Sequence, residues 1–186
     1  MSVHPTPPGA HPARTAPITR PYPTGRIRVA GLLLAGGAAA WAVGLVVVGD
    51  RIQEGILVLD TVTGMAFLVG VAALAWIVLA TRATGSEAGR VLPVILLVLL
   101  AGAFALNAAS FGYATRDEFP LPLMILDACW PLGQLVVLVM GVVVAARGQF
   151  AGLLRWQPLL CGLWFPVSMI AQIILGSAGS VWVSSA

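Results

Sequence analysis

Two carboxylates, Asp60 and Asp127, stand in or beside long apolar runs of this 186-residue chain, accompanied at depth by Asn107, Ser110, Gln134, Ser168 and Gln172. A carboxylate inside a membrane span is costly and marks a functional site by default. Asp127 and Gln134 are seven residues apart, nearly two helical turns, so they share one face. Asn107 and Ser110, three apart, do likewise. The expectation is a small polar cavity in which Asp60, Asn107, Asp127, Gln134 and Gln172 bind a ligand or a proton. A competing expectation makes Asp60 and Asp127 helix N-caps that accept backbone N–H bonds. In that case the amides only cross-link helices, at about 0.6 kcal/mol per hydrogen bond.

The rest of the inventory narrows the chemistry. All ten basic residues are Arg and none is Lys, which excludes Schiff-base chemistry and the phosphate-gripping lysine of a P-loop. His4 and His11, the two histidines, lie in the N-terminal stretch. The apolar part therefore has no imidazole for haem, zinc or copper, or for a Ser-His or Cys-His pair. Neither a metal site nor a cofactor is expected. Cys129 and Cys161 belong to opposite depths and are expected as separate thiols, since a disulfide needs Cα atoms within about 7 Å.

The elements that must position these groups follow from composition. Hydrophobic residues make up 59% of the chain, charged residues 9%, and the mean hydropathy is +0.97, against about 25% charged for a soluble domain. Five apolar runs, each near the ~20 residues that cross about 30 Å of hydrocarbon, follow one another. They cover about Val29 to Gly49, Thr61 to Ala80, Val91 to Tyr113, the stretch after Pro120 to Ala146, and Trp156 to Ala178. The predicted fold class is all-α, a polytopic helical membrane bundle of about five transmembrane helices. Residues 1–25 hold seven of the thirteen prolines and no acid, so they are expected as a disordered Pro-rich tail. Residues 26–186 form a single transmembrane domain. A secretory signal is not expected, because the first apolar run starts late and runs long.

Orientation is read from the arginines. The tail and the loops 81–90 and 147–155 hold eight of the ten, and the alternate loops hold Arg51 and Arg116. The positive-inside rule then puts the N-terminus in the cytoplasm and the C-terminus outside, with Tyr113, Trp130 and Trp182 in the outer aromatic belt and Trp156 in the inner one. The Arg-only, Ala, Gly and Val-rich usage looks like that of small membrane proteins from high-GC bacteria, which suits a multi-pass protein of the bacterial cytoplasmic membrane.

Helix packing in lipid relies on small residues. Gly36, Ala40 and Gly44, at four-residue spacing, make a candidate packing or oligomer face on the first span, and Gly141 with Ala145 a shorter one on the fourth. The similar strings at 56–60 (ILVLD) and 122–127 (PLMILD) hint at a hairpin repeat, of the parallel kind some transporters use. The expected partners are the lipid bilayer and either a second copy or another membrane protein, with no nucleic acid. Short loops and no visible catalytic set favour an accessory or interaction subunit, or a small-ligand sensor, over an enzyme. A small proton-coupled carrier using Asp60 and Asp127 is the first alternative, and an intramembrane enzyme acting on a lipid or isoprenoid through Asp127, Asn107 and Gln134 the second.

Overall fold

The structure, a computed structural model, describes residues 23–49, 51, 55–167, 170 and 174. The described residues are helical apart from their connections, with no strand among them. The helices are α1 (Thr24–Val48), α2 (Val58–Ala80), α3 (Val91–Ser110), α4 (Leu121–Asp127), α5 (Cys129–Arg147) and α6 (157–167). Among these residues four helices are long and apolar enough to cross a membrane: α1, α2, α3 with the 3-10 turn Ala88–Arg90 before it, and α4 with α5. The fifth expected span is helical over 157–167, and Ser168, Gln172 and residues 1–22 of the expected tail lie outside the described residues. Thr24 and Gly25 belong to α1 rather than to the tail. Pro23 stands at the N-cap, where a missing N–H costs the helix nothing.

Each inward face is set by helical spacing. On α2 the buried stripe runs Thr61, Gly64, Phe67, Leu68, Val71, Leu74, Ala75, Val78. On α3 it runs Pro93, Leu96, Leu100, Ala103, Leu106, Ser110, and on α5 Gly133, Gln134, Val137, Met140, Gly141, Val144. Steps of three and four residues keep such positions on one side of a helix. Outward positions are equally apolar: Leu32, Val46, Val98 and Leu160 are all exposed. In water such a surface would aggregate, whereas in lipid it is neutral.

Glycine allows the closest approaches. A Cβ at Gly70 would meet the α1 backbone at Leu34 (2.7 Å) and Leu33, and one at Gly37 would meet the Ala66 carbonyl. Across α5 and α6, a Cβ at Gly141 would lie 2.5 Å from Leu159, and one at Gly162 2.5 Å from Leu138. The α1 seam therefore runs through Gly37 and Gly44, whereas Gly36 is exposed, with open space where a Cβ would stand, and Ala40 is half-buried. Gly44 packs on the Thr63 side chain. One residue turns a helix face by about 100°, which is the difference between Gly36 and Gly37.

One end of the bundle is held by arginines. Arg155 donates from Nε to the Ala145 carbonyl at 2.5 Å and lies over the Trp156 ring, so a cation satisfies a carbonyl at the C-terminus of α5. In the loop 81–90, Glu87 pairs with Arg90 at 2.7 Å and Arg82 at 3.8 Å.

Candidate functional site

The inward stripes change character along their length. Toward the 81–90 loop they are filled by Val78, Leu96 and Val144. At the other end the same stripes present Thr61 and Gly64 on α2, Asn107 and Ser110 on α3, and Gln134 on α5. Small and polar side chains do not fill the space that leucines would, and a cavity of about 540 Å³ opens there. Gly64 borders it, and a Cβ added there would sit at ordinary contact distance, 3.8 Å, from Asn107 and Trp130.

Asp60, Asn107, Asp127 and Gln134 all line this one cavity. Two connections close over its end: Gly55, Ile56 and Leu57 from the α1–α2 connection, and Arg116 and Phe119 from the α3–α4 connection. The Ile56 N–H donates to the Ala114 carbonyl at 2.9 Å, stitching the two together. Gly55 is required at that seam, since a Cβ would sit 2.7 Å from the Ala114 oxygen.

Neither aspartate caps a helix. Leu57 occupies the N-cap of α2 without a side-chain bond, and Asp60 is the third residue of the helix. Its carboxylate instead accepts the indole N–H of Trp41 at 3.3 Å. Asp127 ends α4, and Ala128 separates it from α5, whose N-cap also lacks a side-chain bond. The break has a local cause: Pro131 has no N–H to offer the carbonyl four residues earlier, which is that of Asp127. Both carboxylates are half-buried. Among the described residues the ion pairs are those of Glu87, so neither cavity aspartate has a cationic partner there.

The floor is aromatic. Trp41 stacks on Phe67 with centroids 4.9 Å apart, tilts against Trp130 at 5.6 Å and meets Trp164 edge-on at 4.9 Å. Trp130, expected in the interfacial belt, faces the cavity with Trp41 and Trp164. These tryptophans and Arg116 are not among the site residues expected from the sequence, nor are Thr61, Gly64, Phe119 and Phe165, which line the cavity with them. A tryptophan in mid-span, as Trp41 is in α1, needs a partner for its N–H when buried, and that was the available signal.

Two polar atoms at the cavity are left over. Gln134 is only 5% exposed, and its Oε1 has no hydrogen-bond partner among the described residues; the same holds for the buried Nε1 of Trp164. Buried polar atoms are almost always satisfied, so these two stand out among the residues that line the cavity. The hydroxyls of Thr61 and Ser110 donate to the carbonyls of Leu57 (3.1 Å) and Asn107 (2.8 Å), leaving only their lone pairs for a visitor. Cys129 packs at Gly102, and Cys161 lies on α6; both are free thiols. Among the described residues no group of three or more His, Cys, Asp or Glu is placed to hold a metal ion.

No family model, no curated protein and no solved structure matches this chain.

Proposed function

We propose that this protein is a small-ligand sensor or accessory subunit of a membrane, whose 540 Å³ cavity is the binding site. The observation that carries this reading is the buried Oε1 of Gln134, without a partner among the described residues, in a cavity that also gathers Asp60, Asn107 and Asp127. Ligand sites are concave, mostly apolar, about 300–1,000 Å³, and carry a few convergent polar groups. This cavity has that volume, an aromatic floor and polar groups from four helices. By the arginine distribution it faces the outside of a bacterial cytoplasmic membrane.

The test is native mass spectrometry of the full chain released from mild detergent, comparing wild type with Gly64→Phe, whose ring would occupy the cavity. The expected result is a non-lipid adduct on the wild type and none on the variant. An adduct of equal abundance on both would place the ligand elsewhere and overturn the reading.

A second reading has support from one observation, that both aspartates line the same cavity. A proton-coupled carrier would use such a pair, and substrate-driven flux in proteoliposomes would distinguish it from a sensor.

A further inference from the structure

Resting on the reading of the cavity as a ligand site, we infer that its ligand is a small organic cation with N–H donors and an apolar body, a primary alkyl- or arylalkylammonium. The charge comes first. Asp60 and Asp127 bring two carboxylates to the cavity and Arg116 one guanidinium, and no ion pair among the described residues neutralises either acid. A half-buried carboxylate that lacks a cationic partner among the described residues is costly beside apolar helices, and a bound cation lowers that cost.

The hydrogen-bonding pattern then selects among cations. With the Thr61 and Ser110 protons already given to backbone carbonyls, the lining residues offer those oxygens, the two carboxylates and Gln134 Oε1 as acceptors, against the Trp164 indole, the Asn107 and Gln134 amides and Arg116 as donors. An ammonium head with three N–H donors satisfies the acceptors of this set, the Gln134 oxygen among them. A quaternary ammonium has none and would leave the Gln134 oxygen dry, at the cost of a buried unsatisfied acceptor. A bare metal ion would leave most of the 540 Å³ unfilled. The remaining wall, the rings of Trp41, Trp130 and Phe165, suits a ring or alkyl chain, a ring also offering its π face to the Trp164 N–H, and an aromatic face near an ammonium adds cation–π attraction.

Four probes of one shape test the charge and donor requirements on the purified full chain in nanodiscs, by isothermal titration calorimetry. They are 2-phenylethylammonium, its N,N,N-trimethyl derivative, 2-phenylethanol and 3-phenylpropanoate. The expected result is binding of the primary ammonium at least tenfold tighter than each of the others, weakened about tenfold by either Asp60→Asn or Asp127→Asn. Tighter or equal binding of the alcohol, the propanoate or the trimethyl compound, abolished by Gly64→Phe, would overturn the ammonium assignment while leaving the cavity a ligand site. Binding of no probe, or binding of the ammonium unchanged by Gly64→Phe, would overturn both. The four-probe ranking on wild type decides the ligand class even where an aspartate variant fails to fold.

Discussion

The indole N–H of Trp41 on α1 donates to the Asp60 carboxylate on α2 across 3.3 Å, joining the aromatic floor of the cavity to one of its two acids. The bond couples packing to chemistry: the ring that stacks on Phe67 also fixes where a charge stands. Trp41→Phe retains the stack and loses only the donor. It should lower unfolding free energy by about 1 kcal/mol, within the range for hydrogen bonds to charged groups and between membrane helices. Trp41→Ala, which also removes the ring, should cost about 3–5 kcal/mol. Equilibrium unfolding in SDS against mild detergent measures both, and equal losses would mean that the hydrogen bond contributes most of the effect.

The glycines of α1 give a contrast one residue apart. Gly37 lies under the Ala66 carbonyl, whereas nothing stands within 4 Å of a Cβ at Gly36. Gly37→Ala should therefore destabilise the monomer by about 1–3 kcal/mol, as overpacking does, and Gly36→Ala should change it by less than about 0.5 kcal/mol. If Gly36 serves an oligomer, Gly36→Leu should abolish a crosslinked dimer and leave a folded monomer. Size-exclusion profiles with crosslinking read both effects from the same preparations.

Much of this site is legible in the sequence, and the rest is hidden for stateable reasons. The seven-residue spacing of Asp127 and Gln134 and the three-residue spacing of Asn107 and Ser110 are enough to bring the polar faces toward one another, and all four line the cavity. Capping is misleading for Asp60 because the apolar residues before it, Val58 and Leu59, already join the helix. A helix in lipid starts where its backbone must be satisfied rather than where a capping side chain invites it. Gly36 and Gly37 are equally small, so composition does not choose between them; rotation against α2 does. The aromatic floor depends on tertiary contacts among α1, α2, α5 and α6, which local spacing does not encode.

Topology is checked by single cysteines. Ser86, in the loop bounded by Arg82 and Arg90, and Glu118, beside the cavity, are both exposed and at opposite ends of α3. In intact cells an impermeant thiol reagent should label Glu118→Cys and spare Ser86→Cys, as the arginine distribution requires. The reverse pattern would invert the chain and turn the cavity toward the cytoplasm.

The loop cluster responds to acid in a defined direction. The hydrogen bond from Arg90, then its charge and that of Arg82, hold the Glu87 carboxyl below its ordinary value of 4.5. A depressed carboxylate stabilises the fold above its unfolded-state value, and the contribution is lost as pH falls through the folded value. Wild type should therefore melt slightly above Glu87→Gln at neutral pH, and the difference should shrink once pH falls below about 4.5 and vanish in stronger acid. Because Glu87 is fully exposed, raised salt should shrink the difference as well. A difference that grows on acidification would have the wrong sign for this cluster.

Pro131 sets the break that delivers Asp127 to the cavity. Pro131→Ala restores an N–H four residues after Asp127 and so lets α4 and α5 run on as one helix. Two effects on stability oppose each other: a recovered hydrogen bond contributes about 1 kcal/mol, and the freer unfolded chain costs about 0.4–1 kcal/mol. Stability should thus change little. The Asp127 carboxylate, however, should rotate away from Asn107 and Gln134 as the break straightens, and affinity for the primary ammonium probe should fall at least fivefold. Calorimetry and thermal unfolding on the same variant separate the two effects. Unchanged affinity with unchanged stability would mean that packing of Trp130 against Trp41, rather than the missing N–H, holds the break in place.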